Sequence, residues 1–133
     1  MQFSSHLWRL RGVVLLALPS FSAAHHSFAP HFDSNKSVFI EGKVVEFEQR
    51  NPHAYLHILA EDADGRSHVY RCESHGVTQL ERNGISRDML AVGTLLAVDG
   101  VQHRRDPYMC FFSEVHLADG RVLNVNGASM GGW

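Results

Sequence analysis

Turn-forming residues recur so often along this chain that only short strands fit between them, and that spacing constrains the fold more than any other feature. The breaks fall at Asn51–Pro52, Asp62-Ala63-Asp64-Gly65, Asn83–Gly84 and Ala118-Asp119-Gly120. Between the first two, His53 to Ala60 (HAYLHILA) alternates strictly. Ala54, Leu56, Ile58 and Ala60 face one way, and His53, Tyr55, His57 and Leu59 face the other. That is the period of a strand with one buried face. Val38 to Glu48 alternates through Val38, Ile40, Gly42 and Val44, then slips one residue to Phe47. Such a slip is what a β-bulge produces, and an interior glycine marks close backbone approach. Ser67 to Glu73 returns through the Asp62–Gly65 hairpin, where Gly65 is free to take positive φ. One short helix follows, with Ser74 as its expected cap, Val77 and Leu80 as its apolar face and Asn83–Gly84 as its end. Ser86 to Leu90 reads as one extra turn, Thr94 to Gln102 and Tyr108 to Leu117 as two more strands, and Val122 to Val125 as a last short one.

Three strands, a helix, then two strands, with a bent first strand, predicts a mainly β protein. The specific expectation is a small five-stranded OB-fold-like barrel with one short helix between strands 3 and 4. In that barrel the first strand pairs on both sides, so it must be long and bulged. A β-sandwich is the competing architecture, but it gives no reason for a helix at that point.

The region before the first strand points to export. Arg9 and Arg11 precede a short apolar run, Gly12 to Leu18, and Pro19 breaks any helix before the small residues Ser22, Ala23 and Ala24. These are the three parts of a secretory signal peptide, with a cut expected before His25. The apolar run is far shorter than the roughly 20 residues needed to cross a bilayer. The expected organisation is therefore a signal peptide over 1–24, a polar leader over 25–37, the barrel domain over 38–125 and a flexible Gly-rich tail over 126–133. The expected location is periplasmic or secreted, with no membrane span after processing. Without Arg9 and Arg11, ten basic residues stand against fourteen acidic ones, a formal charge of −4 with His neutral. An acidic excess disfavours nucleic acid as a partner, because phosphate binding needs a positive footprint.

Three short motifs carry a family resemblance: HHSF (His25–Phe28), NPHA (Asn51–Ala54) and LADGR (Leu117–Arg121). In that order they resemble a group of secreted bacterial proteins, domain of unknown function family 6152. The resemblance covers His25 to about Asn124 and implies export and a small β-domain, with no activity attached. Cys72 and Cys110 fall outside the family's pattern.

Histidine is the residue type most over-used, with nine in the 109 residues expected after processing. It is the commonest metal ligand, and export places it where copper and zinc are handled. A cut before His25 would leave a free α-amine next to the His25 imidazole, a chelating pair for Cu(II), with His26 or His31 completing a nitrogen site. A cut before Ala24 would make His26 the third residue, so that amine, two backbone amides and imidazole could hold Cu(II) or Ni(II) in a plane. Against this stands the plainer reading of HHSF as a leader strapped onto the barrel by Phe28 and Phe32. His53 and His57 share one face of the second strand with Tyr55, and that face is expected to meet His68, Tyr70 and Cys72 across the hairpin. His53 also follows Asn51–Pro52, so its ring could instead cap that turn. The candidate metal ligands are thus His25, His26, His31, His53 and His57, and the candidate cofactor is copper.

Cys72 and Cys110 are the only cysteines. Strands 3 and 5 are neighbours in the expected barrel, so a disulfide is one outcome. A soft Cu(I) site built on Cys72 with His75, or on Met109–Cys110, and a pair of inert buried thiols are the others. No nucleophile elbow, HExxH helix or phosphate loop occurs, and an enzyme is not expected. The functional expectation is a periplasmic copper-binding barrel. The alternative is a non-metal OB-type adaptor that recognises a protein, a glycan or a small apolar ligand, and a periplasmic protein partner is compatible with either.

Overall fold

The long first strand, β1 (Phe32–Glu48), pairs with β2 (His53–Glu61) on one edge and with β4 (Leu95–His103) on the other. In this computed structural model, which describes Phe28 and residues 30–127, that double pairing places β1 in the middle of the sheet. The remaining elements are β3 (Ser67–His75), a helix α1 (Val77–Arg82), a 3₁₀ turn (Arg87–Leu90), β5 (Met109–Leu117) and β6 (Val122–Asn124). The strand order is β3-β2-β1-β4-β5-β6, with an additional parallel pairing of β3 to β5 that completes the ring. That order, with α1 between β3 and β4, is the OB-type barrel the sequence predicts. A sixth strand, β6, extends the sheet beyond β5.

The expected bulge lies between Val44 and Glu46, where the pairing of β1 with β2 shifts. It bends β1 so that its two halves serve different neighbours. Gly42 is needed at that bend, because a Cβ there would run into the carbonyl of Leu59. Strand β1 also begins earlier than expected, at Phe32 rather than Val38. The polar stretch Asp33–Ser37 hides it in the sequence. The pairing of Phe32 with His103 and its burial with Val101 and Phe111 carry the strand back.

The core follows the alternation. Val44, Leu56, Ile58, Leu80, Ile85, Leu90, Val98, Phe112 and Val115 are all fully buried in one cluster. Each such side chain contributes about 1.5–3 kcal/mol on leaving water. Helix α1 supplies Val77 and Leu80 to that core.

Two local expectations need correction. Ser74 does not cap α1; it is buried in β3 and its hydroxyl donates to the Phe112 carbonyl at 3.2 Å. Its inward orientation demands an internal partner, and the helix N-terminus is instead served by Asn51, whose Oδ1 accepts the Thr78 N–H at 3.2 Å. The face opposite His53, Tyr55 and His57 is also not His68, Tyr70 and Cys72. The hairpin pairs Glu61 with Ser67, Tyr55 with Glu73 and His57 with Arg71, so odd-numbered residues meet odd-numbered ones. Cys72 points inward and is fully buried.

Cys72 and Cys110 form a disulfide across the parallel β3–β5 seam, where they are direct partners with Cα atoms 4.5 Å apart. This removes the thiolate alternatives, and Cys72 offers neither a metal ligand nor a nucleophile while the bond is formed. Three residue pairs alone make the seam. The cross-link therefore locks the shortest strand pairing in the ring.

Candidate functional site

A cleft of about 440 Å³ opens beside the β3–β5 seam, where the start of β1 crosses the ends of β2, β3 and β5. Phe28, Phe32 and Phe111 give it an aromatic side, and Tyr55, Arg71, Glu73, His31, His53, His103 and Met109 line the rest. Phe28 stacks on Phe32 with centroids 5.1 Å apart and meets Phe111 edge-on at 5.0 Å. Its carbonyl accepts the backbone N–H groups of His31 at 3.1 Å and Phe32 at 3.2 Å. The leader is thus pinned at Phe28, with His31 exposed at the cleft.

The histidines of the cleft differ in which nitrogen is committed. Nδ1 of His53 pairs with Oε1 of Glu73 at 2.7 Å, which leaves Nε2 as the nitrogen able to ligate. A carboxylate beside an imidazole in this way helps to orient the ring. His103 is arranged oppositely. Its Nδ1 accepts the backbone N–H groups of Arg105 and Asp106, both at 3.2 Å, so in the neutral ring Nε2 carries the proton. The His31 and His103 rings lie roughly parallel, 6.3 Å apart. Arg71 lies over the Tyr55 ring, 3.7 Å from its centroid. Burial, with the Glu73 charge adding to it, pushes the Tyr55 hydroxyl up from its usual range.

Of the expected ligands, the structure brings His31 and His53 to one cleft. His57 is separate: its Nε2 contacts Glu48 Oε1 at 2.7 Å, with Glu46 at 4.0 Å from Nδ1. Arg50 at 2.8 Å and Arg71 at 3.3 Å complete the surroundings of Glu48. The hydrogen bond from His57 leads the effects that hold the Glu48 carboxyl below its ordinary range, helped by Arg71 and Arg50 and opposed by burial. His25 and His26 lie outside the described residues. His68, turned inward at its backbone, reaches Asp62 at 2.8 Å and stacks on Tyr108 at 4.2 Å. His75 contacts Asn126 Oδ1 at 2.7 Å, which ties the start of the tail to β3.

Glu73 and His103 are the cleft residues that residue-type reasoning passes over. Glu73 is recoverable from hairpin register, since a turn that pairs Glu61 with Ser67 sets Glu73 opposite Tyr55, beside His53. His103 has no such signal, because it reaches the cleft only through the long-range pairing of β4 with Phe32.

The fold and cleft together define a small closed β-barrel of OB type with a His-lined cleft beside its seam. The chain belongs to the family of unknown function (DUF6152), whose model matches residues 13–108. No curated protein matches the sequence. Among solved structures, a mitochondrial single-stranded DNA binding protein from S. cerevisiae, Rim1, is similar at 15% identity, with 62% of this chain and 93% of that chain covered and a TM-score of 0.47. A ZRD-deleted mutant of TiaS in complex with agmatine is similar at 20% identity, with 67% of this chain covered and a TM-score of 0.44. This chain spans 24% of that one's length. At these TM-scores neither likeness bears on function, and the barrel assignment rests on strand order and register.

Proposed function

We propose that the chain is exported and that its processed N-terminus binds Cu(II) together with His31 and His53 of the cleft. The observation that carries this reading is the anchoring of Phe28. His25 lies three residues ahead of Phe28, so at most about 10 Å of extended chain separates the two. On that length of chain, the α-amine and the imidazoles of His25 and His26 would be able to approach His31 and Nε2 of His53. Nitrogen-rich sets of this kind suit Cu(II), which favours tetragonal coordination by amine, amide and imidazole. Glu73 supports the site by orienting His53. An anchored leader also loses less chain freedom on binding than a free one, so more of the coordination energy appears as affinity.

The test is calorimetry on the exported protein after its N-terminus has been sequenced. One copper per chain is expected, with affinity falling sharply when His25 and His26 are changed to Ala. Equal affinity in that variant would overturn the reading. The aromatic side of the cleft favours a second reading, a small apolar ligand held against Phe28, Phe32 and Phe111. That reading predicts thermal stability insensitive to copper and loss of the ligand in Tyr55→Ala. An enzymatic role forms no part of either reading, and the acidic balance of the processed chain disfavours nucleic acid.

A further inference from the structure

Strands β4 and β5 carry a second group of ligand-forming side chains, away from the cleft: Asp99, Glu114 and His116. Their carboxylate oxygens and imidazole nitrogen all lie within 4.8 Å of one another. A bulge creates the group. Val98 pairs with Val115, both fully buried, and Asp99 pairs with Glu114, but Gly100 pairs with Phe112, so one residue of β5 is left over. Phe112 is fully buried, and strict alternation would have sent Glu114 inward after it. The slip turns Glu114 to the outer face, opposite Asp99, and alternation then places His116 beside it.

The outcome breaks a rule of sheet pairing. Like charges directly opposite each other destabilise a sheet. Among the described residues no Lys or Arg pairs with Asp99 or Glu114, and the nearest counter-group to Glu114 is His116, with Nε2 at 3.8 Å from Oε2. That separation exceeds hydrogen-bond range, and the His116 Nε2 atom is itself buried without a hydrogen-bond partner. A polar atom left in this way has given up water without gaining a partner, which is unfavourable. The neighbours orient the group without neutralising it. Asn124 Nδ2 donates to Glu114 Oε1 at 3.4 Å, and Phe39 meets the His116 ring edge-on at 5.3 Å.

We propose that Asp99, Glu114 and His116 form a binding site for a borderline divalent cation of the zinc type. Two carboxylates supply the charge that a divalent ion balances, and His116 Nε2 gains the partner it lacks. Two bonds of about 2 Å at a tetrahedral angle set donor atoms about 3.3 Å apart, so the 3.8 Å between Nε2 and Oε2 needs only a small side-chain adjustment to share an ion. An imidazole in the set favours zinc over magnesium or calcium, which prefer all-oxygen shells with more ligands. Three protein ligands leave one tetrahedral position for water or a further ligand. Asn124 and Phe39 act as the outer supports that such sites commonly have.

The experiment is a zinc titration of the exported chain carrying His25→Ala and His26→Ala, so that the proposed N-terminal copper ligands do not contribute. One zinc per chain is expected, with affinity falling by about tenfold or more in His116→Ala and in Asp99→Asn. Replacing zinc by Co(II) should give visible absorption bands in the parent that are lost in Asp99→Asn, a near-isosteric change that keeps the fold. Zinc affinity equal in the parent and both variants overturns the proposal. So does zinc binding abolished by His57→Ala but not by His116→Ala, which would move the ion to the β1–β2 group. Displacement of zinc by an equal concentration of magnesium or calcium overturns the choice of cation.

Discussion

Two regions of this barrel hold the same chemical parts, two carboxylates and an imidazole, yet they are different objects. Glu46, Glu48 and His57 sit on β1 and β2, and Asp99, Glu114 and His116 sit on β4 and β5. In the first group Glu48 is surrounded by Arg50, Arg71 and His57, so its charge is already balanced inside the protein. In the second the two carboxylates face each other, and no Lys or Arg among the described residues pairs with them. A set of ligand atoms therefore does not define a cation site. The charges around it decide whether an ion would be attracted or would have to displace an arginine.

The contrast can be broken or sharpened in several ways. The largest expected effect comes from the disulfide, because β3 supplies Arg71 to the first group and β5 carries two members of the second. Changing Cys72 and Cys110 to Ala together should destabilise by about 3–4 kcal/mol in the chain-entropy picture, a fall in Tm of about 12 °C or more. Thermal melts check this, and a loss below about 1 kcal/mol would show that the seam holds without the bond.

Next, Glu48→Gln should destabilise by about 1–2 kcal/mol, since it removes a charge that Arg71 and His57 contact directly. Urea unfolding reads the difference. The same pair of proteins gives a pH signature. The Glu48 carboxyl is held below its ordinary 4.5, so its contribution is complete above that value and is lost as pH falls through the lower folded value. The stability gap between wild type and Glu48→Gln should close as pH falls below about 4.5. A gap that stayed fully open well below that pH would contradict the assignment.

The smallest effect has the opposite sign. In metal-free protein Glu114→Gln should stabilise by about 0.2–1 kcal/mol, because it relieves the opposition with Asp99. A loss of stability there would mean that Glu114 is balanced after all, and the distinction between the two groups would disappear.

Much of the fold is legible in the sequence, for a local reason. Turn residues bound every strand, and HAYLHILA shows its buried face without help from the rest of the chain. Even the bulge of β1 is visible, as the slip from Val44 to Phe47. What is hidden depends on register between strands. The β2–β3 hairpin joins residues of matching parity, which brings Glu73 rather than Cys72 to the outer face beside His53. The bulge in β5 gives no signal in Phe112-Ser113-Glu114, since it exists to keep Glu114 out of the core, and only the pairing with β4 reveals it. The early start of β1 is hidden because Asp33–Ser37 is polar and its pairing partners lie on β4, far along the chain.

The central claim, that an anchored leader and the cleft share one copper, is tested most directly by the electron paramagnetic resonance spectrum of Cu(II) added to the exported protein. The account predicts a single nitrogen-rich species at one copper per chain. One nitrogen coupling should be lost in His53→Ala, and the species should be lost altogether when His25 and His26 are both changed to Ala. A spectrum unaltered by those changes would contradict it.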